Sequence, residues 1–153
     1  MLFKKSEPAV TVTEISLKKH YAFMYENFIV SNQGKLFLLL EQIDDVIDGL
    51  EFDFFIYKYG YPNDEVSHPL TKYGLGFYGV FKVSNSPWII ELRDNNRQHP
   101  RHTDSMFEKY EHYAIKFQDV TVEVICTKMQ EVQLTKTELL NFLDEQLSCI
   151  VKK

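Results

Sequence analysis

No apolar run in this 153-residue chain is longer than Leu36–Leu40. A membrane-spanning helix needs about 20 such residues, so none is expected. The first residues, Met1-Leu-Phe-Lys-Lys-Ser-Glu-Pro, lack the apolar core of an export signal, and a soluble, cytoplasmic protein is expected. There are only two cysteines, Cys126 and Cys149, without CxxC spacing. They read as buried thiols of a reducing compartment, with no disulfide framework and no metal-binding cysteine pair. Basic residues are the minority, 17 against 22 acidic, for a net charge of −5. Affinity for a phosphate backbone comes from Lys and Arg displacing counterions, so nucleic acid is not an expected partner. Repeats, low-complexity tracts and Gly/Ser linkers are missing too, which predicts one domain over 1–153.

Aromatic rings are abundant. Twelve Phe and nine Tyr accompany a single Trp, and apolar residues make 44% of the chain. At this length roughly two-thirds of the unfolded surface is buried on folding, enough for a core built around rings.

Periodicity divides the chain into elements. Val10-Thr-Val-Thr-Glu-Ile-Ser-Leu alternates at period two, and Tyr21 to Val30 is aromatic and branched, which predicts one or two strands. From Gly34 to Asp48, Leu36, Leu39, Leu40, Ile43 and Ile47 recur at steps of three and four, opposite Glu41, Asp44, Asp45 and Asp48. That spacing predicts an amphipathic helix with Gly49 as its stop. Glu51–Tyr61 and Tyr73–Val83 are strand-like and predict a long hairpin around the breaker-rich loop 61–69. Ser86-Pro87 predicts a helix start, with Ser as N-cap and Pro where no donor is needed. This helix must end before Pro100.

The next segment specifies itself most fully. With Gln118-Asp119 as a two-residue turn, Tyr113, Ile115 and Phe117 pair with Val124, Val122 and Val120 on an apolar face. His112, Ala114 and Lys116 then share the other face with Thr121, Glu123 and Ile125. At the end, Thr135 and Glu138 form a capping box, with Leu134 and Leu139 as a staple. They open a helix from Lys136 to Val151, expected to turn Leu139, Leu140, Leu143, Leu147, Ile150 and Val151 toward the core. The fold class is therefore α+β, a mainly antiparallel sheet of about five to seven strands with about three helices on one face.

Three of the five histidines, His99, His102 and His112, fall in one polar stretch with Arg101 and Asp104. Strand register sets Glu123 diagonal to His112 and Lys116. A hydrolase built here would use His102 and His112 as acid/base groups, Glu123 and Asp104 as orienting carboxylates, and Lys116 or Arg101 to stabilise an anion. The plainer alternative is a polar connection in which Ser105 and Glu108 cap a short helix, Ser105–Lys109. HxxH on a loop is no metal signature, and no cofactor is expected. Gly74-Leu-Gly-Phe-Tyr-Gly79 matches GxGxxG, but a strand follows where a phosphate cradle needs a helix, so these glycines read as close-approach positions.

The other candidate is a contact surface formed by Glu41, Asp44, Asp45 and Asp48 with Tyr57, Tyr59 and Tyr61. Acidic groups beside rigid aromatic rings suit a protein partner with a basic surface, and an exposed aromatic hairpin edge would favour a homodimer. In size, acidity and aromatic content the chain resembles toxin-neutralising immunity proteins. A small non-enzymatic protein-binding module is the leading functional expectation, with the histidine-dependent hydrolase as its alternative.

Overall fold

The computed structural model describes residues 8–31, 33–62 and 66–153, so the expectations for 1–7 and for 63–65 of the breaker-rich loop lie outside the described residues. The chain runs β1 (Thr11–Glu14), β2 (Asn27–Val30), β3 (Lys35–Ile43), β4 (Val46–Gly60), β5 (Gly79–Ser84), α1 (Pro87–Asn96), β6 (Glu111–Lys116), β7 (Thr121–Thr135) and α2 (Lys136–Ser148). Short 3-10 turns occupy Thr71–Tyr73 and Asp104–Phe107. The seven strands form one antiparallel sheet in the order β1-β5-β6-β7-β4-β3-β2.

The α+β class and the antiparallel sheet agree with the sequence, but the described residues form two α-helices where about three were expected. The missing one is Gly34–Asp48, which is a β-hairpin. Leu36 and Leu38 point into one core at 1% and 0% exposure, while Phe37 is buried on the opposite face against Phe142 of α2, ring centres 5.2 Å apart. A strand covered on both faces reads as a continuous apolar run, and leucines at steps of three and four imitate a helix. The hairpin closes through Asp44-Asp45, with Asp44 in the left-handed region (φ 54°) that Asp tolerates better than most residues. Gly49 is accordingly a strand residue beside a bulge at Leu39/Glu41, not a helix stop.

The expected pairing of Glu51–Tyr61 with Tyr73–Val83 is also absent. β4 lies between β3 and β7, and β5 between β1 and β6. A hairpin turn uses about two to five residues, far fewer than separate these strands. β4 is thus interior, which removes the exposed aromatic edge that favoured a dimer.

The β6–β7 register is the expected one: His112 faces Ile125, Ala114 faces Glu123 and Ile115 faces Val122, and the Phe117 N–H donates to the Val120 carbonyl at 3.0 Å. On one face Tyr113, Ile115, Phe117, Val122, Val124 and Cys126 join Leu38, Leu50 and Phe52, beneath Tyr21 and Phe23. Each fully buried large side chain there contributes about 1.5–3 kcal/mol. The second face is buried as well, at His112 (1%), Lys116 (4%) and Thr121 (3%). Both helices lie on it, α1 through Trp88 against His112 and α2 through Phe142.

Two local expectations shift. The turn after α1 starts at Asp104 with Thr103 as N-cap, in place of Ser105. The Thr135/Glu138 capping box opens α2 as expected, but the helix stops at Ser148 and is not wholly core-facing. Leu139 is buried while Leu140, Leu143 and Leu147 are exposed, because the apolar arc is wider than the strip of sheet beneath it.

The cysteines separate in the same way. Burial pushes the Cys126 thiol up to about 12, whereas Cys149, at the end of α2, is exposed and not buried as expected. Alkylation of native protein at about pH 8 is expected to modify Cys149 alone, and both cysteines after denaturation, as read by peptide mapping.

Candidate functional site

The second face of the sheet carries a cluster drawn from four parts of the chain. β6 supplies His112, β7 supplies Glu123, the start of α1 supplies Ser86 and Trp88, and the segment after residue 65 supplies His68. Glu123 Oε1 lies 2.9 Å from His112 Nε2, and Oε2 lies 3.2 Å from His68 Nε2. The two imidazoles thus grip one carboxylate, one on each oxygen. The side chains of His112, His68 and Glu123 are 2%, 5% and 13% exposed.

The remaining bonds orient the two rings. The Leu70 N–H donates to His68 Nδ1 at 3.0 Å, so the ring hydrogen is on Nε2 and is donated to Glu123. Ser86 Oγ accepts the Ile89 N–H at 3.1 Å as the N-cap of α1 and lies 2.7 Å from His112 Nδ1. A carboxylate can only accept, so His112 donates its Nε2–H to Glu123. Burial alone would raise the Glu123 carboxyl, but the hydrogen bonds from His112 and His68 outweigh it and hold the group well below the ordinary glutamate range. The core of the site is therefore a carboxylate held between two imidazoles.

Above it opens a cleft of about 650 Å³ whose wall includes Lys58, Tyr61, Tyr73, Trp88 and Glu91. Lys58 is the cross-strand neighbour of Glu123, and its ammonium lies 3.9 Å from the centre of the Trp88 ring. Trp88 stands edge-on to His112 at 5.5 Å. The indole is therefore held between a cation on its face and the histidine at its edge.

The expected hydrolase residues fall into two separate pairs, His112 with Glu123 and His102 with Asp104. His102 bonds Asn96 (2.8 Å) and Asp104 (2.7 Å) beside α1, and Arg97 also binds Asp104, whose carboxyl these contacts lower to about 2. His99 and Arg101 are exposed, with the Arg101 N–H donating to His99 Nδ1. Lys116 is buried further along β6, opposite Thr121. The residue sequence reasoning missed is His68, which lies 55 positions from Glu123 in a loop with no local pattern.

The expected acidic surface is also dispersed. Glu41, Asp44 and Asp45 are exposed at the β3–β4 hairpin, but Asp48 is buried, 2.5 Å from the Lys19 ammonium. Tyr57 packs against the core, and Tyr59 bonds Glu26 at 2.6 Å. Tyr61 stands alone at the cleft, 79% exposed.

Among the described residues, no group of three His, Cys, Asp or Glu side chains is arranged to hold a metal ion. Nor is any helix among them long and apolar enough to cross a membrane. Gly74 ends a 3-10 turn, Gly79 opens β5, and a Cβ on Gly76 would meet the Phe81 ring at 2.9 Å, so the GxGxxG glycines answer turn and packing needs. No protein family, curated protein or solved structure matches this chain.

Ser86 serves the helix and the site together. Ser86→Ala is expected to cost about 2 kcal/mol, combining a lost N-cap with a buried imidazole nitrogen left without its partner. Urea denaturation checks this, and Ser86→Thr should recover most of the loss.

Proposed function

We propose that this chain is a non-enzymatic protein-binding module, a small regulator or toxin-neutralising protein, whose contact site is the cleft over His68, Glu123 and His112. One observation carries the proposal. The polar atoms at the base of the cleft are already bonded to one another, each imidazole engaged at both nitrogens and the carboxylate at both oxygens. An acid/base catalyst must turn a free lone pair or proton toward its substrate, and this arrangement spends its own internally. What it does supply is a rigid base beneath an aromatic rim of Tyr61, Tyr73 and Trp88, ring types enriched where partners bind tightly. The net charge of −5 favours a partner with a basic surface.

The test is site-specific photo-crosslinking in the native host, with the reactive group at Tyr61 in one protein and at Tyr25 in another. Tyr25 lies two residues past Phe23, in the segment over the other face of the sheet. A single protein adduct formed from position 61, lost on Trp88→Ala and weakened by salt, is the expected result. Equal adducts from both positions, or none, would count against the cleft as a contact site. The hydrolase remains the second proposal, and turnover of an ester, peptide or phosphodiester that disappears in His112→Gln would establish it instead.

A further inference from the structure

α2 shows a face that the other described residues leave uncovered. Leu140, Leu143 and Leu147 are 56%, 38% and 63% exposed, and Ile150 and Val151 just beyond the helix are 61% and 85% exposed. At 100° per residue the three leucines lie within about 60° around the axis, a seam and not a scatter. A single exposed leucine needs no explanation, but a contiguous row does.

Charges at the two ends of the helix indicate what covers the row. At its start the Lys136 N–H donates to the Asp45 carbonyl at 3.0 Å, which brings the exposed Asp44-Asp45 tip of the β3–β4 hairpin beside the first turn. Glu138 adds a further acid there, against Lys136 as the basic side chain of that turn. At the other end the exposed Lys152 and Lys153 follow the helix. Asp144 stands about 40° around the axis from Leu140, at the border of the seam, and Glu145 about 140° from it, well off the seam. A stripe flanked by acids is ill suited to an anionic lipid surface, which favours Lys and Arg beside the apolar face.

We infer that α2 is the interface of a two-fold symmetric dimer of this chain, the two helices packed antiparallel through Leu140, Leu143 and Leu147. The symmetry places each Lys152-Lys153 against the Asp44-Asp45 tip of its partner, so the same attraction is made twice. Antiparallel helices crossing at a shallow angle interdigitate side chains spaced in this way.

Sedimentation equilibrium of the full chain, from about 1 to about 200 μM, tests this at the micromolar affinity expected of a small interface. The expected result is a monomer–dimer equilibrium that Leu143→Asp weakens by at least about tenfold without changing circular dichroism. Leu147→Glu, at a more exposed position, gives the same reading if the first variant does not fold. The charge arrangement has its own test. D44K/D45K and K152E/K153E should each associate more weakly than the parent chain, and an equimolar mixture of the two should recover association as a heterodimer. A chain that stays monomeric throughout, a dimer indifferent to the leucine variants, or a mixture no stronger than its components would overturn the inference.

Discussion

Glu123→Ala is expected to destabilise the protein by about 3–5 kcal/mol, because it strands two buried imidazole N–H groups that have no other acceptor among the described residues. A typical domain has about 5–15 kcal/mol in total, so the variant should sit near the edge of folding. Glu123→Gln should cost less, about 2 kcal/mol, since one oxygen still accepts while the amide NH₂ opposes the second N–H. The pair also separates by pH. The folded carboxyl titrates below its ordinary value of 4.5, so its stabilisation is complete above that pH and is lost as the pH falls toward the folded value. The stability difference between the parent chain and Glu123→Gln should therefore be constant near neutrality and shrink below about pH 4.5. Urea titrations at a series of pH values measure it, and a difference that grows on acidification would show that the carboxylate is not the group held.

Gly49→Ala should be equally severe for an unrelated reason. A Cβ at this position would collide with the Leu38 carbonyl oxygen, and that atom belongs to the backbone of the neighbouring strand, so no side-chain rotation relieves the contact. Gly49 sits in the first third of β4, opposite Leu39 on one side and Val132 on the other, next to the bulge in β3. Parting these strands breaks ladder hydrogen bonds beside the fully buried Leu50, and a loss of at least about 3 kcal/mol is expected. Thermal unfolding and soluble yield report it. A substitution tolerated within about 1 kcal/mol, as at a solvent-facing helix end, would contradict the close approach of β3 and β4.

Gly49 also shows where the sequence was legible and where it was not. The β6–β7 register could be read because each face obeys a simple rule, with apolar partners at every second residue and a two-residue turn that leaves one alignment. The Ser86 and Thr135 caps were legible because capping is chemistry within four residues. β3 was not, because a strand buried on both faces loses its alternation and its leucines satisfy the helical spacing equally well. The site followed the same division. His112 and Glu123 were placed together by strand register, whereas His68 arrives through tertiary folding alone, and His102, nearer in sequence, is held by Asn96 and Asp104.

The sheet ends on β1 at one side and β2 at the other, each four residues long, while the fifteen-residue strands β4 and β7 pair at its centre. An edge strand offers unpaired N–H and C=O groups on which another chain can template itself, and the hazard grows with its length. Here the lengths are graded so that the longest backbone is enclosed and the outermost is brief. Fibril-like growth by strand addition therefore has little backbone to build on at either edge.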